Sequence, residues 1–265
     1  MDKSIRPSRA FYGAVFIGLG IIGLVYGDFA LVWQDPPKSL PAHQVIAYLC
    51  AFIELASGIG LLLKPTLALS ARVLCPYMML WLVLLKLPGL VLAPAFIGSW
   101  GAFGEIGIIT AGAWSLYAAN AGEHPRFAFA AGERGLRGAR LLFLASLPMI
   151  GLVHLIELKD TVPYVPQWLP YPAFWACATG SYSILAGPAL LGGFYPRLVA
   201  NLEAAMLGVI TLLVWGPGLA TPDRVHVTAF FISSAIAVGA WVVADTYRSV
   251  PWLASGSTVR ALSRL

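Results

Sequence analysis

The chain has 265 residues, of which 59% are hydrophobic and only 11% charged, with a mean hydropathy of +0.80. A soluble domain carries about 25% charged residues, so too little polar surface is present to cover a water-soluble globule. The hydrocarbon core of a bilayer is the solvent that suits such a chain. The net charge of +5 comes from basic residues scattered between apolar runs, which argues against a nucleic-acid face and for a topological origin.

In chain order, apolar runs long enough to cross a bilayer lie at about 11–31, 43–63, 72–92, 102–119, 140–157, 172–192, 197–216 and 227–246. Lys3, Arg6 and Arg9 ahead of the first run imitate a signal peptide. That run is too long and no clean small-residue cleavage site follows, which predicts an uncleaved first helix. Within it, Gly18-Leu19-Gly20-Ile21-Ile22-Gly23 matches the dinucleotide fingerprint. No strand precedes it, so these glycines read as helix-packing positions, as do Gly58, Gly60, Gly180 and Gly187. The outer loops, Asp35-Pro36-Pro37 to Leu40-Pro41 and Val162-Pro163 to Pro170-Tyr171-Pro172, read as stiff caps leading into helices two and six. Trp33, Trp168, Tyr164 and Trp252 near span ends read as an interfacial aromatic belt. Cys50, Cys75 and Cys177 all fall in apolar runs without a C-x-x-C, so they read as small hydrophobes rather than redox centres.

The chain repeats itself. Ile22-Gly23-Leu24-Val25-Tyr26 corresponds to Ile150-Gly151-Leu152-Val153-His154, Leu40-Pro41 to Leu169-Pro170, Pro88-Gly89-Leu90 to Pro217-Gly218-Leu219, and Gly112-Ala113-Trp114 to Gly239-Ala240-Trp241. Every pair is separated by 127 to 129 residues, so one register holds from end to end. The expectation is an all-α integral membrane protein of eight transmembrane helices, as two four-helix repeats oriented in parallel. The first repeat is 1–122, a cytoplasmic linker 123–139, and the second repeat 140–265 with a short cytoplasmic tail. With the N-terminus in the cytoplasm, 13 of the 17 basic residues fall on that side. The other four, Lys38, Lys86, Lys159 and Arg224, fall at or near the outer side. Both termini are then cytoplasmic, in a bacterial-type inner membrane.

Ionisable groups inside spans are costly and each needs a reason. Glu54 lies near the middle of the second span, about 11 residues from either end. It is either a functional carboxyl or a neutral one hydrogen-bonded to a neighbouring helix. Its repeat equivalent is Ser183. His154 ends the fifth span with Glu157 one turn on. Such a pair could relay protons, bind a quinone carbonyl or hold a metal, or the imidazole could simply be tied to a backbone carbonyl. The equivalent of His154 is Tyr26. Lys86, two residues before Pro88, places the end of helix three there. It reads as a snorkelling residue or as the partner of Glu105 in the first turns of helix four. Asp28 reads as solvated at the end of helix one. No C-x-x-C-H is present and no two of His43, His154 and His226 share a helix face, so no metal is expected.

Gly151-x-x-His154, the Trp168-Leu169-Pro170 loop, and a helix with Gly180, Leu185-Ala186-Gly187 and Leu190-Leu191 resemble the DoxX-like family of four-helix membrane proteins, here in tandem over most of both repeats. The family's second-helix glutamate matches Glu54 in Glu54-Leu55-Ala56-Ser57-Gly58. The copies depart from the pattern in opposite ways: copy one has Glu54 but Tyr26 for the histidine, and copy two has His154 but Ser183 for the acid. Either one composite site forms between the copies, or the pair is lost and the fold persists as a scaffold. The resemblance implies quinone-linked oxidation, as a membrane subunit beside a redox partner protein. Glu54 and His154 would then be the catalytic groups. Tyr26, Glu157, Lys86, Glu105 and Ser183 would contact a cofactor, a quinone being the candidate. No flavin, haem or iron–sulfur motif is visible. The competing readings are a non-catalytic assembly factor or carrier of lipid or small solute, and a packed scaffold.

Overall fold

A computed structural model of the protein describes residues 6–31, 33–37, 39–122, 125 and 127–254. Lys3, Lys38, Arg126, Arg260 and Arg264, used in the charge asymmetry, and the C-terminal tail from 255 lie outside the described residues. Secondary structure among the described residues is helical throughout. Eight long helices follow one another: α1 (Pro7–Tyr26), α2 (His43–Leu62), α3 (Leu67–Leu92), α4 (Ile97–Asn120), α5 (Gly132–Ile156), α6 (Pro172–Gly192), α7 (Pro196–Ala220) and α8 (Arg224–Tyr247).

Six of them, α1, α2, α3, α5, α7 and α8, are long and apolar enough to cross a membrane. The other two, α4 and α6, have 24 and 21 residues, and small residues dilute their hydropathy. The reason is position. α4 packs on α3, α5 and α8 together, and 14 of its 24 residues are buried, among them Gly101, Gly104, Gly107 and Gly112. A central helix needs small residues for close approach more than large ones for lipid. Large side chains point outward instead, as at Leu49, Phe52, Leu80, Leu185, Leu202 and Leu212. An apolar exterior of that extent is not a water-facing surface.

α1 begins at Pro7, where a missing N–H costs nothing, and ends at Gly27, whose φ of 62° lets its N–H return to the Gly23 carbonyl. α3 does not end at Lys86. The residues Leu82–Lys86 form a π turn and the helix resumes over Leu87–Leu92. Pro88 would clash with an α-helical carbonyl one turn back, and the widened turn absorbs it. α7 repeats the device, with a π turn over Thr211–Trp215 two residues before Pro217. The residues preceding α2 and α6, Ala42 and Tyr171, are both left-handed, at φ 53° and 55°. α5 starts at Gly132, earlier than expected, so Arg134, Arg137 and Arg140 are helical and the connection from α4 is 121–131.

Glycines set the helix contacts. A Cβ on Gly13 would meet the Gly58 carbonyl at 2.8 Å, one on Gly23 the Ala51 Cβ at 2.7 Å, and one on Gly151 the Gly180 carbonyl at 2.4 Å. α1 and α2 thus close at Gly23–Ala51, and α5 and α6 at the corresponding Gly151–Gly180. α4 and α8 touch where a Cβ on Gly112 would lie 2.9 Å from the Gly239 Cα. One end of the bundle gathers the N-terminal turn, the 121–131 connection and the end of α8. Ser8 bonds Asp245, Arg140 donates to Thr246 Oγ1 at 2.8 Å, and Arg72 donates to the Ala121 carbonyl at 3.0 Å.

Candidate functional site

The loop between α1 and α2 does not stay outside as a cap. Phe29, Ala30, Trp33 and Gln34 fold back into the bundle and are buried. Trp33, expected in an interfacial belt, is 3% exposed, with its ring centroid 6.4 Å from that of Phe16. An indole placed against an apolar interior gains more than one at the rim. Trp168, Tyr164 and Trp252 are exposed, as a belt requires.

Gln34 carries the loop's polar tip to Glu54, which is 1% exposed. The Gln34 Nε2 donates to Glu54 Oε1 and, with its second proton, to the Tyr77 hydroxyl at 2.8 Å. That hydroxyl donates in turn to Glu54 Oε1 at 2.7 Å, and Gln34 Oε1 accepts the Ala30 N–H at 3.1 Å. A loop, α2 and α3 therefore close on one carboxyl oxygen in a ring of three hydrogen bonds. Every partner comes from the first half of the chain.

The second half holds a buried carboxyl that sequence reasoning missed. Glu203 on α7 is 1% exposed, and its Oε1 accepts the Ser183 hydroxyl at 2.8 Å, while its Oε2 has no partner. Ser183 occupies the place of Glu54, so the acid has moved to the adjacent helix and the serine remains as its donor. The signal was present: an acid eight residues into an apolar run is as anomalous as Glu54.

His154, on α5, packs its Cβ against Gly180 of α6, and its Nδ1 has no partner. No hydrogen bond or ion pair joins it to Glu157, whose carbonyl instead accepts the N–H groups of Asp160 and Thr161. Neither His154 nor Glu54 bonds the other, and the composite Glu54–His154 arrangement is not what the hydrogen bonds build. Tyr26 is half exposed, beneath the Arg224 guanidinium at 5.3 Å. Lys86 and Glu105 act on each other electrostatically, with Asp35 a second carboxylate acting on Lys86.

Asp28, just past α1, is not merely solvated. It accepts from His43 Nε2 at 2.9 Å, from Arg224 Nη2 at 2.8 Å and from the Phe29 N–H at 2.8 Å. Burial acts to raise its pKa, but the hydrogen bonds from Arg224, His43 and Phe29 outweigh that and hold it at about 2. The cluster ties the folded-in loop to the start of α8.

A cleft of about 650 Å³ opens between α1, α7 and α8. Phe11, Phe230, Phe231 and Trp241 wall it, and Ala204, Ala205, Gly208 and Ala237 give it room. The Phe231 ring lies on Gly18 and keeps α8 off α1 along this stretch. The polar lining is Asn201, Thr211 and Ser234. Each has already donated its proton to a backbone carbonyl, at Arg197, Leu207 and Phe230 respectively. What remains for a ligand is acceptor oxygens. That suits an alkyl chain with a hydroxyl, and does not suit an oxidised quinone, which needs donors. Neither Glu54 nor His154 lines the cleft. Among the described residues no three His, Cys, Asp or Glu side chains gather as metal ligands would.

Comparison with known proteins finds no matching family model, no matching curated protein and no matching solved structure.

Proposed function

We propose that this chain is a multi-pass membrane protein of eight spans, a tandem of two four-helix units entering the membrane in the same direction, that holds a lipid-soluble molecule in the cleft between α1, α7 and α8. The cleft carries the reading. Ligand sites in helix bundles are concave, mostly apolar and of about 300–1,000 Å³, with a few polar groups to orient the guest. Gly208 sharpens it. A glycine inside a helix costs about 1 kcal/mol relative to alanine, and is usually repaid by close packing. Nothing within 4 Å would meet a Cβ there, so no group of this chain uses the space.

The tandem is supported by the two π turns and by the two left-handed residues before α2 and α6, each pair 129 residues apart. At 1.5 Å per residue, α4 and α6 are about 36 and 31 Å long, enough for a hydrocarbon core of about 30 Å. Arg6, Arg9, Lys64, Arg72, Arg134, Arg137, Arg140, Arg197 and Arg248 sit toward the end that gathers the N-terminal turn, which supports a cytoplasmic placement of that end. Likeness to the DoxX-like family would make the chain an accessory membrane subunit. A lipid or hydroxylated lipophile is the guest that the cleft favours over a quinone.

A second reading concerns Glu54 alone. Its oxygen is satisfied from within the first half, which favours a structural tie over a catalytic group.

The test is Gly208→Leu, which fills the cleft from a position with free space. Molecules retained through purification in mild detergent are extracted and identified by mass spectrometry. The expected result is a stoichiometric lipophile in the wild type and its loss in Gly208→Leu, with unchanged helicity. The same retained molecules in both proteins would overturn the cleft assignment.

A further inference from the structure

The two outer loops have similar lengths and opposite fates. In the first half, Phe29, Ala30, Trp33 and Gln34 enter the bundle and satisfy Glu54. In the second half, no residue from Glu157 to Tyr171 is buried. The cause is in the residues. At an offset of 129, Lys159 and Asp160 replace Ala30 and Leu31, and Pro163 replaces Gln34. A lysine–aspartate pair does not leave water without a dedicated partner, and proline has no side-chain amide to offer. The segment instead coils on as helix over Leu158–Thr161 and a 3₁₀ turn over Val162–Tyr164.

The interior it fails to cover is the one with unpaired polar atoms. Glu203 Oε2 and His154 Nδ1 are both buried without a hydrogen-bond partner. Both lie along α6: His154 packs on Gly180, and Glu203 bonds Ser183 one turn deeper. Positions three apart on a helix share a face. The histidine is thus the shallower group and the carboxyl the deeper one, on a line running inward from the outer loop. A buried carboxyl oxygen left unpaired costs about 1–3 kcal/mol or more, a cost that a bound donor would remove.

We propose that this interior of the second half is a binding site for a small uncharged molecule with an aromatic or apolar body and a hydrogen-bond donor, an amide or a phenol, admitted past the 157–171 loop. The first half supplies the template, because Trp33 and Gln34 present an aromatic body and an amide to its carboxyl. The guest donates to Glu203 Oε2, meets His154 Nδ1 with its second polar atom, and leaves Ser183 in place on Oε1. A carboxylate guest is excluded by repulsion from Glu203. The site is separate from the α1–α7–α8 cleft, which Glu203 and His154 do not line.

The experiment uses the intact protein in detergent and a hydrophobic carbodiimide, which modifies membrane-buried carboxyls, read by peptide mass spectrometry. Probes are benzamide and phenol, with benzoate and toluene as controls. We expect Glu203 to be modified and Glu54, shielded by its loop, to be spared. We expect benzamide or phenol to slow modification of Glu203 at least fivefold, with benzoate and toluene without effect. Gln34→Ala should make Glu54 modifiable, and Gly208→Leu should leave the protection at Glu203 unchanged, which separates this site from the cleft. Indifference of Glu203 to both probes, or equal slowing by toluene, would overturn the proposal, as would a Glu203 as unreactive as Glu54. All of these are read on protein retaining wild-type Glu203, so a Glu203→Gln variant that failed to fold would not obscure them.

Discussion

Gln34 shows how much one side chain can decide. Its amide spends both protons, one on Glu54 and one on Tyr77, and its carbonyl takes the Ala30 N–H. Removing one member strands the others in an interior where water cannot substitute. Tyr77→Phe leaves a Gln34 proton without an acceptor and Glu54 Oε1 with one donor fewer, and should cost about 1–3 kcal/mol. Thermal unfolding in detergent would measure it, and a change within error would mean that the ring of three contributes nothing. Asp28 gives the pH dependence. Its folded carboxyl is held at about 2, below its ordinary value of 3.8. A depressed acid contributes stability that is present above the ordinary value and lost as pH falls through the folded one. The tie between the loop, His43 and Arg224 should therefore be intact at pH 5 and weaken from about pH 4 towards 2. Trp33 emission, reporting on the same loop, should shift red over that window, and Asp28→Asn should abolish the shift. Because Asp28 is more than a third exposed, solvent screening keeps the effect small.

At the scale of elements, glycines of identical chemistry have opposite consequences. Gly151 faces the Gly180 carbonyl at the α5–α6 contact, so Gly151→Val forces backbone apart and should unfold the second half or cost several kcal/mol, as overpacking of a close contact does. Gly208 faces the cleft, so Gly208→Ala should raise stability by about 0.5–1 kcal/mol through the helix alone. Denaturation midpoints of the two variants would settle the contrast, and a destabilised Gly208→Ala would mean that the space is needed in the apo protein. The π turns belong to this scale as well. Each stands two residues ahead of a proline that an uninterrupted α-helix would not accommodate. Reading Pro88 as the end of helix three took a real constraint and gave it the wrong resolution. A break and a widened turn both satisfy proline, and packing on α4 favours the turn.

For the whole molecule, the tandem reading places both ends of the chain on the same side. Reporter fusions at the N-terminus and after residue 254 should give the same cytoplasmic signature, and opposite signatures would overturn the eight-span topology. The low charge, the apolar runs and the repeat register were legible in the residues because burial in lipid demands a composition, and a duplicated unit leaves correspondences that need no third dimension. Glu54 was legible as an anomaly by the same reasoning, and Glu203 should have been. What α4 and α8 do at Gly112 and Gly239, which loop enters the bundle, and which carboxyl oxygen is left without a donor were decided only by the tertiary structure. Periodicity reports that a face is apolar or that an acid is misplaced, but it does not name the neighbour. Whether Gln34 reaches Glu54, or Ser183 reaches Glu203, depends on contacts between residues at least 20 positions apart, and such contacts exist only once the helices have packed.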